Sequence, residues 1–434
     1  MFKSILKDSF FIFLARIFNM AVGFFIVAVI SNYYSLQELG AVTFFTTFFV
    51  FAATFSLMGF EISILKLIPQ VKIENNTKSA YIQIYKIAKL LLISSLFIMV
   101  LLYISSDFIV SKLNIDHLMN VFLLSLPFLL FKTYEVFFRE SIRGLENIKQ
   151  YSFVTILPNT IFLFLLLLFL TLPQVANTAV YLFFASILFT AVYSGFFIYK
   201  NIKKYFHDTS QELFNINFKS SLLLSLPMLF TGLLQNLSAN VDIFMLTSLD
   251  SLETVGIYSI IIKIAMLVSL PLMIINSVIA PKISSLYHAN HKDALKRLVQ
   301  MTSLTTFLFS LLIALFIYLF DYLLAFFFPA QILHSLNSLY LLILAQLFNS
   351  FTGSIGYFLS MTGKQKVFMY IILFSTVLNI VGNYYLIPMY SLDGAVIASF
   401  ISILTWNLLA FLYVKHKFGF YTISFNPRIF TGGN

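Results

Sequence analysis

Residues 142–161 read IRGLENIKQYSFVTILPNTI, and residues 360–380 read SMTGKQKVFMYIILFSTVLNI. Each opens with a short polar turn holding a glycine and a lysine, and each runs into an apolar stretch that carries an asparagine. Gly144 aligns with Gly363, Tyr151 with Tyr370 and Asn159 with Asn379. A second pair lies upstream of these. QELGAVTFF (37–45) leading to LKLIPQ (65–70) matches LETVGIYSI (252–260) leading to SVIAPKI (277–283), with Gly40 against Gly256 and Pro69 against Pro281. Corresponding residues stand about 212–220 positions apart, so the 434-residue chain reads as two copies of one unit.

The material of each copy is apolar. The chain is 60% hydrophobic and 10% charged, with 53 Phe and 23 Tyr. A soluble domain carries about 25% charged residues, and charge this scarce cannot cover a water-facing surface. Twelve stretches are long and apolar enough to cross a bilayer, which takes about 20 residues. They fall at 9–31, 40–65, 83–105, 117–139, 151–171, 176–199, 219–248, 254–280, 299–320, 333–360, 367–388 and 393–414. The first is too long for the apolar core of a signal peptide and has no small-residue cleavage site after it, so it reads as a retained helix. Strict alternation of apolar and polar residues is absent, which leaves helices rather than an outer-membrane barrel.

The loops test this count. With both termini inside, the inner segments hold Lys3, Lys7, Lys72, Lys78, Arg143, Lys149, Lys200, Lys282, Lys292, Lys364, Lys415 and Arg428, among others. The outer loops hold Lys112 as their only base, and the acids Glu38, Asp107, Asp116, Asp250, Glu253, Asp321 and Asp393. One miscounted span would scramble this asymmetry downstream. The same rule accounts for the net charge of +10 without nucleic acid. The expected organisation is a six-helix lobe over 1–205, a cytoplasmic linker at 206–218, a second six-helix lobe over 219–416 and a tail at 417–434 that reads as flexible. An even number of spans per copy gives both lobes the same orientation, around an axis along the membrane normal. Two such lobes rocking about a central cavity are the layout of alternating access.

Several chemistries are excluded. The chain has no Cys, so thiolate catalysis, disulfides and Cys-ligated metals fall away. None of the six His forms an HExxH pair, and no GxxxxGK[ST] phosphate loop is present. No catalytic constellation or resident cofactor is expected.

What remains are charges inside the spans, which are costly there and need a partner or a wet cavity. Arg16 lies in the first span and reads either as a ligand for an anionic group or as a base snorkelling to the headgroups. In the fourth span, Lys132, Glu135 and Arg139 share one helical face, opposite Phe, Leu and Val. They form either a basic cavity wall with Glu135 as charge partner or ion-coupling carboxylate, or an interfacial ion pair. Asp242 in the seventh span and Lys263 in the eighth pair with each other or serve the cavity, Asp242 then as a protonation or cation site. Glu61 and Lys66, five apart near the inner end of the second span, read as interfacial. Three intramembrane bases (Arg16, Lys132, Lys263) against two acids (Glu135, Asp242) suit an anionic cargo. Asn19, Gln235, Asn236, Asn240, Gln346 and Asn349 are scattered polar positions that could read sugars.

VDIFMLTSLDSLETVGIYSIIIKIAML (241–267) resembles a segment of the polysaccharide flippases: an Asp, an apolar run, a short outer loop, then V-G-x-Y and a Lys. Asp242, Gly256, Tyr258 and Lys263 carry that likeness. LNIVGNYYLIPMYSLDGAVIAS (378–399) resembles the same family through Asn379, Pro388, Gly394 and Ala395. The family is that of the O-antigen and capsule repeat-unit flippases, in the superfamily that also holds the MATE drug exporters and lipid II flippases. The resemblance implies a V-shaped helical bundle in the bacterial inner membrane. It implies a cargo, an undecaprenyl-diphosphate-linked oligosaccharide moved from the cytoplasmic to the periplasmic leaflet, with H+ or Na+ as coupling ion and a polymerase of the glycan pathway as partner. Lys66 stands where relatives commonly carry Arg. A MATE-like exporter of cationic drugs is the alternative reading.

Overall fold

The computed structural model describes residues 2–75, 77–172, 175–206 and 218–426, and among these every regular element is helical. The first copy holds α1 (Phe2–Val29), α2 (Leu36–Leu57), α3 (Phe60–Asn75), α4 (Thr77–Ile104), α5 (Ser106–Lys112), α6 (Met119–Ser125), α7 (Phe128–Gly144), α8 (Ile148–Phe169) and α9 (Thr178–Phe206). The second holds α10 (Phe218–Leu249), α11 (Leu252–Val268), α12 (Leu270–His288), α13 (Lys292–Leu319), α14 (Leu324–Phe327), α15 (Leu336–Thr352), α16 (Ile355–Met361) and α17 (Gln365–Phe418).

All twelve expected crossings map onto these helices. Eight described segments are long and apolar enough alone, and two bent pairs, 116–144 and 252–276, each supply one more. The 32-residue α10 is long enough for another. The 54-residue α17 would extend about 80 Å if straight, far more than one crossing. It folds back at Ser391 (φ 51°, ψ −126°), and Ser402 Oγ then donates to Ser375 O at 2.9 Å across the hairpin. A Cβ on Gly394 would sit 2.2 Å from Leu386 O, so only glycine permits this turn.

Four other spans that the sequence reads as continuous are broken in the structure, the tenth at Gly353 (φ 72°) between α15 and α16. The second parts at Met58 (φ 52°) and Gly59 (φ 80°), where a left-handed pair ends α2 and restarts the chain as α3. The fourth bends by 56° between α6 and α7 around Pro127, whose ring cannot continue the α6 hydrogen-bond ladder. The eighth bends by 60° at Ser269, one residue before Leu270-Pro271.

By internal contacts the chain divides into Met1–Ile243 and Phe244–Asn434, a boundary inside α10. The expected linker at 206–218 lies almost wholly outside the described residues. In the first unit, α7 is central and touches α2, α3, α4, α8 and α9, while α1 lies along α8. The phenylalanines of α2 are packing surface: Phe44, Phe45 and Phe49 are fully buried. Phe45 and Phe49 meet Phe184 of α9 edge to face at 5.6 and 5.2 Å. Lipid is as apolar as these rings, so shape and dispersion drive such association, at about 0.5–1.5 kcal/mol per aromatic pair. In the second unit, α15 packs on α11, α13 and α17, and α12 on α13 and α16.

Acids at the helix ends tie neighbouring helices together. Glu38 accepts the backbone N–H groups of Asn177 (3.1 Å) and Ala179 (2.9 Å), closing the amino end of α9. Asp250 accepts from Thr254 and Ser391, Asp321 from Tyr340, and Asp393 from Ser338. The tail is not loose as far as it is described. Phe420, Thr422 and Ile423 are buried, Tyr421 stacks on Phe411 at 5.2 Å, and Gln300 donates to Tyr421 O at 3.0 Å. Aromatic content and backbone hydrogen bonds pin it to α13 and α17. Residues 427–434 lie outside the described part.

Gly394→Ala should therefore destabilise the protein by more than about 2 kcal/mol, whereas Gly23→Ala, with nothing within 4 Å of the added carbon, should leave stability unchanged or raise it. Thermal unfolding of the two purified variants in one detergent checks this.

Candidate functional site

The charged face of α7 forms a ladder in the first unit. Lys132 Nζ donates to Glu135 Oε2 at 2.7 Å, and Arg139 Nη1 donates to Glu135 Oε1 at 2.6 Å. Arg139 Nε reaches Glu140 at 3.3 Å, and Arg143 Nη1 reaches the other Glu140 oxygen at 3.3 Å. Arg143 also lies over the Tyr151 ring at 5.4 Å. The spacing i, i+3, i+4 builds this from one helix, as the sequence predicts. Glu135 is sealed, with 1% of its side chain exposed, while Lys132 keeps 14% and Arg139 23%. A carboxylate so placed needs both bases, since one left unpaired in a low-dielectric interior costs several kcal/mol. Three bases against two carboxylates leave the ladder one net positive charge, carried on groups that still reach the surface.

Arg16 is exposed on α1, and no hydrogen bond or ion pair joins it to the ladder or to any other described residue. One turn further, Asn19 Oδ1 accepts from Asn159 Nδ2 of α8 at 3.0 Å. The structure thus presents Arg16 as an uncommitted guanidinium. Asp242 is buried in α10 at the end of the first unit, and Lys263 is half-buried in α11 of the second.

The scattered polar positions are partly committed. Asn236 Nδ2 donates to Thr54 Oγ1 at 2.8 Å, Asn240 to Asn236 O at 3.0 Å and Asn349 to Gln346 at 3.4 Å. In the second unit a buried cluster joins Tyr258, Ser399, Asn379 and Asn383. Tyr258 Oη lies 3.4 Å from Ser399 Oγ, and Asn383 donates to Asn379 Oδ1 at 3.1 Å. These four come from α11 and both arms of α17, so their meeting depends on the fold at Ser391.

Glu61, which the sequence reads as interfacial, packs against a neighbouring helix. It follows the Met58–Gly59 break, and α10 passes directly beside it. A Cβ on Gly59 would sit 2.2 Å from Ser225 O, and one on Gly232 would sit 3.1 Å from Glu61 Oε1. Glu61 Oε2 is buried with no hydrogen-bond partner. Among the described residues, the charged neighbour that acts on it is Glu140, of like sign. The one sequence signal was a glycine two residues before an acid inside a span. The Lys66 side chain lies outside the described part. Among the described residues, no three His, Asp or Glu side chains gather closely enough to hold a metal ion.

The sequence model of the family described as "Polysaccharide biosynthesis protein" matches residues 5–287, and that of the MatE family matches 227–385. No curated protein matches the chain. Among solved structures, the chain is similar to a multidrug resistance MATE family transporter of the MOP superfamily in an inward-facing conformation. That likeness has TM-score 0.76 at 15% identity and covers 93% of this chain and 94% of the other. It is similar to the lipid II flippase MurJ in an inward closed conformation, with TM-score 0.71, 16% identity and coverage of 93% and 87%. A MOP superfamily transporter from Pyrococcus furiosus, described as having a binding pocket of reversed polarity, gives TM-score 0.63 at 16% identity over 96% of each chain. At these identities the likeness establishes the fold alone, an all-α bundle of membrane-spanning helices.

Glu135→Ala should strand two bases and destabilise the first unit by about 3–5 kcal/mol. The triple change Lys132→Met, Glu135→Gln, Arg139→Met removes every member of the core pair set and should cost less than the single one. Unfolding of both variants against wild type reads the difference.

Proposed function

We propose that this chain, which belongs to the polysaccharide biosynthesis protein family, is a flippase for a lipid-linked oligosaccharide. It moves an undecaprenyl-diphosphate-linked glycan repeat unit from the cytoplasmic to the periplasmic leaflet of the bacterial inner membrane by alternating access. Both termini are cytoplasmic, and a polymerase takes the glycan on the far side. No covalent step is needed, so the chain is not an enzyme in this reading.

The observation that carries the proposal is the exposed, uncommitted Arg16 in the same unit as a ladder with surplus positive charge. A guanidinium holds its charge at any physiological pH and binds a diphosphate through two parallel hydrogen bonds. Lys132 and Arg139 form the basic wall in the first unit, and within the second unit Lys263 is a further base suited to an anionic cargo. The sugar hydroxyls would strand without partners in hydrocarbon. Asn19 and Asn236 offer them polar contacts in the first unit, while the lipid tail stays in the bilayer.

Coupling falls to an ion gradient. Both Glu135 oxygens are taken by Lys132 and Arg139, so Glu135 acts as charge partner to the bases. With Glu135 so occupied, the coupling carboxylate is Asp242, and Glu61, whose Oε2 is buried without a hydrogen-bond partner, is a second. Ionised Glu61, with that oxygen buried and unpartnered, takes up a proton or a cation. The alternative, a MATE-like exporter of cationic drugs, draws on the MatE match over 227–385. The basic sign of the described ladder speaks against a cationic cargo.

Expressed in a bacterium lacking its own repeat-unit flippase, the wild type should restore surface polysaccharide, and Arg16→Ala should reduce it at least tenfold at equal protein level. Intact glycan with Arg16→Ala removes that residue from the site. Drug resistance without glycan favours the exporter. In vesicles, an imposed H+ or Na+ gradient should change the wild-type flipping rate, and Asp242→Asn or Glu61→Gln should abolish that response. A rate indifferent to both gradients sinks the coupling proposal.

A further inference from the structure

The first unit carries a groove of about 640 Å³ on its outer side, between α4, α7 and α9, separate from the charged face of α7. Its walls are apolar: Leu92, Phe131, Phe138 and Val192 among them. Ala88, Ala191 and Gly195 keep its floor low, and a Cβ on Gly195 would press to 3.2 Å from the Phe138 ring. Tyr134 Oη donates to Ala88 O at 2.8 Å, which ties α7 to α4 and fixes the floor.

One cation stands on its rim. Lys89 Nζ lies 4.6 Å from the centre of the Tyr85 ring, one turn back along α4. No carboxylate pairs with Lys89 among the described residues. The groove lies along the amino-terminal half of α4 and the carboxyl-terminal half of α9, and Lys89 stands in the amino-terminal half of α4. Along α9 it runs about 10 Å, from Tyr199 to Val192. Half of a hydrocarbon core is about 15 Å, so the groove occupies one leaflet. Helical side chains tilt toward the amino end, and for Lys89 that direction leads to the membrane surface along the rim. The ammonium therefore meets the headgroup layer at the point where the groove opens into acyl chains.

We infer that this groove is a binding site for an anionic phospholipid, with one acyl chain in the groove and the phosphate against Lys89. An unpaired ammonium on a tyrosine face selects a headgroup with net negative charge over a zwitterion, whose own ammonium competes for the phosphate. The leaflet is the cytoplasmic one in the topology proposed above, and the selectivity itself does not depend on that topology.

The chain holds a single tryptophan, Trp406, in the second unit. In a Trp406→Phe background, Val192→Trp places a reporter on the groove, and Phe164→Trp places one on the exposed surface of α8. Both variants go into bilayers with rising fractions of brominated phosphatidylglycerol or brominated phosphatidylcholine, and fluorescence quenching is read. The Val192→Trp reporter should be half-quenched at a phosphatidylglycerol fraction at least threefold below that for phosphatidylcholine. The Phe164→Trp reporter should respond equally to both. Lys89→Gln should erase the difference at the groove, and Lys89→Arg should keep it. Equal quenching by the two lipids at Val192→Trp overturns the inference, as does selectivity that survives Lys89→Gln.

Discussion

In hydrocarbon, every backbone N–H and C=O must find its partner within the protein. That constraint makes this chain helical throughout its described length, and it makes each interruption a place that must be repaired locally. At the carboxyl end of α1 the repair is a π-turn over Ile30–Tyr34, where Asn32 Nδ2 donates to Ala28 O at 2.9 Å. At the amino end of α9 it is Glu38, reaching across from α2 to two backbone amides. At Met58–Gly59 the left-handed pair lets Met58 N–H return to Phe55 O at 3.1 Å. The breaks thus sit where side chains or glycines can complete the hydrogen bonding, and they set where functional groups end up. Glu61 faces α10 because the chain restarts as α3 one residue earlier.

The same low dielectric governs charge. Glu135 is held sealed because Lys132 and Arg139 come at it from both sides along one helix. This arrangement does two things at once. It neutralises the one acid buried in the middle of α7, and it fixes two bases whose outer edges remain reachable. Arg16, without a carboxylate of its own, adds a charge that nothing in the described structure balances. A phosphate group is the complement of such a set.

Much of this was legible beforehand. The repeat, the loop charges and the spacing of Lys132, Glu135 and Arg139 are local in sequence, and helical periodicity turns them directly into geometry. The hidden parts depend on long-range packing. No pattern near Glu61 announces that Gly232, some 170 residues on, leaves room for its carboxylate. Nothing near Asn379 shows that a reversal at Ser391 brings Ser399 and Tyr258 beside it. The described part of the tail shows the same dependence. Its composition suits a loose end, yet Phe420 meets Phe358 and Ile423 packs beside Phe307 and Phe351, on helices far away in sequence. Lys86 and Lys89 fall inside an apolar run, where hydropathy averages them away.

The central claim is that positive groups in the first unit hold the diphosphate of a lipid-linked glycan. The most direct measurement is transbilayer movement in vesicles containing only the purified protein, with one glycan carried on a diphosphate, on a monophosphate or on an uncharged lipid anchor. The account predicts rapid movement of the diphosphate form, slower movement of the monophosphate and none above background for the neutral anchor, with Arg16→Ala abolishing the preference. Equal movement of all three, or movement of the neutral form alone, would contradict it.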